Sequence, residues 1–526
     1  MNVARDPLRD GPRWVAGLIL AGALSALVHG AVLWWPRTVD DAFIIYHYGR
    51  NLAEGLGPVY NPGERVEGYS SPLWMLGAAA AIAARIDPVA AAKAAGLACS
   101  VWLVVLVHGG LRRAGVVAWG SGLAALLVGS SFVLQIWSVS GLETSAYALA
   151  LFGGLLRAAR PERGPRDALV ASAALACAAL LRPEGPLFWL AVAPVFFGAP
   201  AGRWRRLSLY ALPGVALAAH VTWRWTYYGV PLANTYYVKS GGGSRMWRQG
   251  LDGLAGFASD PSHLAFLAAA AAGLVSALRR PSSRRAATIL ALAILLHLLF
   301  VVSVGDDGLR VHRFYVPVLA PLAFLAGQTF PRTEARERRT VPLAALGALA
   351  VALAVPLSLR TLHAELLPEM REGALPYLEG NVKLGRHLAA TRPPATVIAV
   401  AAAGAIPFYS RLRAIDMYGL CDATIAHGPF PSERRGRLMK WDNAYVLGRR
   451  PDLIAVNRGY FRAGDPYAAS VADRPWLLAA APLDRDLFER LARDGAYTLA
   501  PIRFEDGSRF YVFERRGPGP ALSGSR

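Results

Sequence analysis

Asp40 and Asp41 are the only adjacent acids in the first half of the chain, and they follow directly on an apolar segment long enough to cross a bilayer. Such a pair has the chemistry of a general base. A neighbouring carboxylate, or the low dielectric of a cleft at a membrane surface, raises the pKa of one acid until it can take a proton from a hydroxyl. A helix N-cap followed by a first-turn acid accounts for the same two residues, so the pair alone leaves both readings open. Asp40 is the expected base, with Asp41 orienting the acceptor or holding a cation. A divalent cation is therefore the one cofactor left open. A second constellation lies in GDDGLRVHRF, Gly305 to Phe314. Its Asp306, Asp307, Arg310, His312 and Arg313 stand at the mouth of an apolar segment, where the cations could grip a phosphate and neutralise charge building on it. A polar interfacial loop with internal ion pairs explains them about equally well. Glu64 and Glu67 could bind hydroxyls or a metal, or simply sit in a solvated turn with Arg65. Glu143 in GLETS reads as a cavity residue or a helix-start acid. Lys239, after the tyrosines 227, 228, 236 and 237, could grip phosphate, although an aromatic interface belt needs no such role.

The elements that position these groups begin with Val39 to Trp74. Phe43, Ile44, His47 and Tyr48 recur at helical spacing, and a Gly/Pro/Asn-rich run (Gly55, Gly57, Pro58, Asn61, Pro62, Gly63) then predicts a structured loop. In the order DDAF, YGRNLAEG, VYN, EGYSSPLW, this stretch resembles the first extracytoplasmic loop of the polytopic GT-C glycosyltransferases. Within them it is most similar to the bacterial terminal arabinofuranosyltransferases of mycobacterial cell walls. The resemblance implies a lipid-phosphate-linked sugar as donor and a catalytic role for Asp40 and Asp41. It also ranks Glu67, within the EGY motif, above Glu64, and puts Tyr69 and His47 among the substrate-binding candidates. GD followed by RF at the head of a Pro-containing span, and AGAIPFYS, IDMYGLCD and His427 near the end, resemble the same group. There Asp416 and Asp422 would line an acceptor groove or serve folding.

The chain has 526 residues, of which 54% are hydrophobic and 17% charged, with a mean hydropathy of +0.33. That is too apolar for a soluble enzyme of this length. The formal charge of +20 does not imply nucleic acid, because the arginines fall in clusters between apolar segments. Cys99, Cys177 and Cys421 show no CxxC spacing, so neither a disulfide framework nor a zinc site is implied. There is no nucleophile elbow, HExxH, P-loop or Rossmann fingerprint.

Crossing candidates are 14–35, 90–111, 115–136, 142–157, 167–182, 186–200, 207–227, 262–279, 287–304, 314–330 and 341–359. Arg5, Arg9 and Arg13 before the first predict an uncleaved signal anchor. If Pro72 to Arg85 is a juxtamembrane or re-entrant helix, the arginine clusters at 112–113, 157–166, 203–206, 279–285 and 332–339 share the side of the basic N-terminus. The expected fold class is an α-helical integral membrane protein of GT-C type, with about eleven transmembrane helices and a catalytic first loop at 36–89. Residues 1–359 would form the membrane domain and residues 360–526 an extracytoplasmic α/β domain. The latter shows an amphipathic helix (Leu378 to Ala390), strands at Thr396 to Val400 and Pro451 to Val456, and a hairpin turning at Asp506 and Gly507. The expected partners are the bilayer, a polyprenyl-phosphate sugar and a glycan or glycolipid acceptor. Another GT-C sugar specificity is a rival within the fold. A glycolipid flippase is a rival outside it, and would carry its charges inside spans rather than in loops.

Overall fold

The computed structural model describes residues 12–160, 165–197, 203–240, 243–305, 311–333, 341–429, 440–471, 473–479 and 481–516. Asp306, Asp307 and Arg310 lie outside them. The helical part runs α1 (Arg13–Trp34), α2 (Asp40–Ala53), α3 (Pro72–Ala83), α4 (Pro88–Arg113), α5 (Ala118–Gly129), α6 (Phe132–Ser138), α7 (Thr144–Ala158), α8 (Pro165–Leu181), α9 (Phe188–Phe197) and α10 (Arg203–Tyr228). It continues through α11 (Asn234–Lys239), α12 (Ser244–Ser259), α13 (Pro261–Leu278), α14 (Pro281–Val304) and α15 (Val316–Ala326), then α16 (Val341–Thr391). Every apolar segment predicted to cross coincides with helix, and Pro72–Ala83 is a short apolar helix of 12 residues. Five of the described helices are individually long and apolar enough to span a bilayer, and a sixth span arises if α5 and α6 are one broken crossing. The protein is therefore a multi-pass membrane protein.

The α5–α6 break turns the chain sharply before Ser138. Ser130 and Ser131 separate two helices bent by 62°. At Gly129 a Cβ would meet Ala23 O at 2.3 Å, so only glycine lets α1 pass this closely. Ser358 of α16 repairs the opened backbone: its hydroxyl donates to Ser130 O at 2.8 Å and accepts from Phe132 N at 2.8 Å. A kink in an apolar helix pair is tolerable when freed backbone groups are recaptured in this way.

After α16 the chain forms β1 (Val397–Val400), α17 (Ala405–Ser410), β2 (Arg413–Asp416), α18 (Ala423–His427), α19 (Asn443–Gly448), β3 (Leu453–Ala455), β4 (Tyr460–Phe461), α20 (Pro482–Asp494), β5 (Tyr497–Arg503) and β6 (Arg509–Arg515). β1 pairs in parallel with β2 and β3, whereas β6 is antiparallel to β3, β4 and β5. Residues alternate between the two sheet faces. Ile398, Val400, Phe510 and Val512 join the core shared with the helices, while Ala399, Tyr511 and Phe513 join a second core that includes Leu483, Leu487 and Leu491 of α20. The division expected at 359/360 falls inside α16, whose helical run continues through π-helical turns at Thr361–Leu366 and Met370–Ala374.

Loop and sheet are joined directly. Asn61 presents its side-chain amide to edge strand β2 as another strand would, donating to Ala414 O at 2.9 Å and accepting from Ala414 N at 3.0 Å. Tyr60 Oη donates to Ala403 O at 2.6 Å, and Phe43 packs on Phe408 and Tyr409.

Candidate active site

Asp40 and Asp41 are the first two residues of α2, and Val39, which precedes them, makes no side-chain cap. The two carboxylates diverge. Asp40 turns toward the sheet region: its Oδ2 accepts from Gly404 N at 2.9 Å, and its Oδ1 from Ala405 N at 3.1 Å and Asn381 Nδ2 at 3.3 Å. Burial pushes its pKa up to about 6 against the pull of those donors. Gly404 has no room for a side chain there, since a Cβ would lie 2.0 Å from Asp40 O. Asp41 instead keeps 54% of its side chain exposed and lies 3.9 Å from Arg313 Nη1.

Arg313 is brought to that point by the turn expected at the mouth of a span. His312 takes a left-handed conformation (φ 50°), and its ring lies among Phe257, His263 and Tyr315. The Arg313 guanidinium rests over Trp137 (5.6 Å) and Phe314 (5.1 Å), and Trp137 Nε1 donates to Val311 O at 2.6 Å. The turn Ser138 to Ser145 (SVSGLETS) closes the other side. Ser140 O accepts from Val39 N at 3.1 Å, and Gly141 O accepts from Tyr46 Oη at 2.8 Å and Trp74 Nε1 at 3.0 Å. Behind it, Arg182 lies over Phe314 and bonds Glu143 at 3.0 Å, with Glu184 as its second carboxylate. A cation shared by two buried acids is locally neutralised. Arg313 is thus the guanidinium set directly against Asp41.

The fold is that of the GT-C glycosyltransferases. ArnT from Cupriavidus metallidurans bound to undecaprenyl phosphate superposes with a TM-score of 0.56 at 15% identity, covering 97% of this chain and 99% of that one. The same protein in its apo state gives 0.52 at 14%, covering 94% and 97%. In sequence, the chain is 31% identical over 252 residues to a terminal β-(1→2)-arabinofuranosyltransferase of Mycobacterium tuberculosis, covering 44% of this chain and 40% of that protein. It is 27% identical over 375 residues to the protein of the same name from Corynebacterium glutamicum, covering 60% and 51%. The chain therefore spans about half the length of the curated relatives it matches. Residues 369–503 match a family described as a domain of unknown function (DUF8728).

The other expected substrate-binding residues are spread rather than convergent. Glu67 is 1% exposed and held by Arg224 of α10 through both carboxylate oxygens. Burial raises its pKa to about 7, with the Arg224 charge pulling the other way. Tyr69 is buried against Tyr228, their hydroxyls 3.2 Å apart. His47 lies beneath the loop, its Nε2 at 2.8 Å from Tyr60 O, and burial depresses its pKa to about 3, so the ring is neutral. Glu143 is committed to Arg182, and Lys239 is exposed at the end of α11. Among the described residues, no group of three or more His, Cys, Asp or Glu side chains is arranged to hold a metal ion. The partners not assigned to the site from sequence are Arg224, Trp137 and the Gly404–Ala405 amides. The last of these lie within AGAIPFYS, which the resemblance marks as a segment without giving its contact to Asp40.

Asp422 caps α18, accepting from Thr424 N at 2.9 Å and Ile425 N at 3.2 Å. Asp416 is 1% exposed and accepts from Cys421 N at 2.8 Å and Tyr418 N at 3.0 Å. Both therefore have folding roles in this region. Burial raises Asp416 to about 6 against those bonds. A raised carboxyl contributes stability that is full below its unfolded pKa and is lost as pH rises through the folded value. The advantage of wild type over Asp416→Asn in thermal unfolding is thus expected to be greater near pH ~4 than near pH ~7.5, by at most about 3 kcal/mol. A difference independent of pH would refute this titration.

Proposed function

We propose that this chain is a membrane glycosyltransferase that transfers a sugar, arabinofuranose first among the candidates, from a polyprenyl-phosphate donor to a hydroxyl of a cell-envelope glycan or glycolipid acceptor. The observation that carries the proposal is the half-exposed Asp41 carboxylate set 3.9 Å from Arg313 on an aromatic floor. The sequence similarity to terminal arabinofuranosyltransferases supports the sugar, and the undecaprenyl phosphate bound by ArnT supports the donor class.

In this reading Asp41, rather than Asp40, removes the acceptor proton as the hydroxyl oxygen attacks the anomeric carbon. The bond from that carbon to the phosphate oxygen breaks, and its electron pair leaves with the lipid phosphate, where Arg313 offsets the added charge. The proton passes from Asp41 to solvent. One displacement inverts the anomeric centre, and no covalent intermediate is needed. Asp40 holds loop and sheet region in register. The proposed topology keeps about eleven crossings, the loop 36–89 and the region 360–526 outside the cytoplasm, and the arginine clusters inside.

The test is a panel of radiolabelled polyprenyl-phosphate sugars (arabinofuranose, mannose, aminoarabinose) offered to the purified full chain in nanodiscs with a cell-envelope glycan extract. Label is expected to move from the arabinofuranosyl donor. Transfer from another member alone would overturn the sugar, and no transfer from any would overturn the function.

A further inference from the structure

A groove of about 470 Å³ opens between the C-terminal half of α2 and the segments 394–395 and 411–413 of the sheet region. It is not the site of Asp41: from Asp41 to Asn51, which lines it, α2 rises about 15 Å. Its wall carries Arg50, Arg411 and Arg413 against the single carboxylate of Glu54. Glu54 pairs with Arg411 at 3.0 Å, and Glu64, just outside, takes Arg413 and lies 3.6 Å from Arg449. The wall therefore keeps an excess of positive charge, and His47 behind it is neutral.

Arg50 adds to this wall from α2. It is 6% exposed, with its guanidinium anchored on Phe408 O and 3.3 Å from His47 Nδ1, yet its buried Nε finds no hydrogen-bond partner among the described residues. Its charge is thus only partly compensated within the protein and adds to the positive wall. Burial, reinforced by the nearby Arg411 charge and opposed by Glu54, lowers its pKa to about 10, so it stays cationic at neutral pH. A volume in the usual range for small-molecule sites exceeds what one inorganic anion fills. Leu56, Pro62, Pro394 and Leu412 supply an apolar wall for the C–H face of a sugar ring.

We propose that this groove is a subsite for an anionic carbohydrate unit, a sugar bearing a phosphate or carboxylate, on the acceptor side of the transfer. The assignment rests on the glycosyltransferase reading for its role, and on the groove itself for its ligand chemistry.

Calorimetric titration of the full chain in nanodiscs with ribose 5-phosphate, ribose and inorganic phosphate tests it. Ribose 5-phosphate is expected to bind at least about ten-fold more tightly than either of the others. Arg411 is largely exposed, so Arg411→Gln keeps the fold and is expected to weaken ribose 5-phosphate by about ten-fold. Leu56→Trp, which fills the groove without touching a charge, should weaken it comparably. No binding to wild type, unchanged binding to both variants, or inorganic phosphate binding as tightly as the sugar phosphate would each overturn the proposal. Asp41→Asn separates the two readings: it should keep ribose 5-phosphate binding while losing transfer. If it keeps transfer, the catalytic assignment fails and the binding result still stands.

Discussion

Asp41→Asn is expected to lower the transfer rate by about three orders of magnitude while leaving the melting temperature and the donor KM close to those of wild type. The substitution keeps shape and hydrogen-bonding capacity but removes the ability to take a proton. The side chain is 54% exposed and meets Arg313 only at 3.9 Å. Exposed pairs at such distances add little to stability, so the loss must be read in the chemical step. The control is Asp40→Asn. That carboxylate accepts from two backbone amides and Asn381, and an amide can offer only one acceptor oxygen to the same donors. It should lose stability together with rate, whereas Asp41→Asn loses rate alone. Single-turnover measurement with the lipid-linked donor distinguishes them. If Asp41→Asn keeps more than about a tenth of the wild-type rate, the carboxylate is not the base.

What could be read from sequence was what is local. Each apolar run is a helix because its own residues cannot remain in water, and the Asp506–Gly507 turn makes β5 and β6 a hairpin because its own residues favour it. The acidic pair was placed at a helix start by the same means, since Asp40 and Asp41 open α2. What could not be read was pairing across the chain. Asp40 meets Gly404, Glu67 meets Arg224, and Arg182 meets Glu143, contacts separated by 364, 157 and 39 positions that no periodicity encodes. For that reason the sequence favours Asp40 over its neighbour as the base, and leaves Glu67 looking available to a substrate. Strand β4, two residues long, is too short to leave a pattern. The continuity of α16 through residue 360 was hidden because its surface changes from apolar to amphipathic while its backbone stays helical.

Gly404→Ala is expected to cost about a hundred-fold in transfer rate although residue 404 touches no substrate. The new methyl carbon would lie 2.0 Å from the backbone oxygen of Asp40 and 2.5 Å from its Oδ2. Neither a peptide oxygen at a helix start nor a carboxylate pinned by two amides can step aside cheaply. Loop and sheet region must therefore part by an ångström or more. Asp40 then loses the amides that make its burial tolerable, and Asp41, one residue on, moves relative to Arg313. Gly448→Ala is the matched control, because a Cβ there meets nothing within 4 Å. Faster proteolytic cleavage of the region after α16 in Gly404→Ala, but not in Gly448→Ala, would locate the effect at the joint between loop and sheet region. Indistinguishable rates for the two variants would sink the idea that this joint positions the site. Because Gly404 and Asp40 act through one contact, Gly404→Ala combined with Asp40→Asn should cost little more than the worse single change. Additive losses would mean instead that Asp40 has a part in the chemistry beyond fastening the loop.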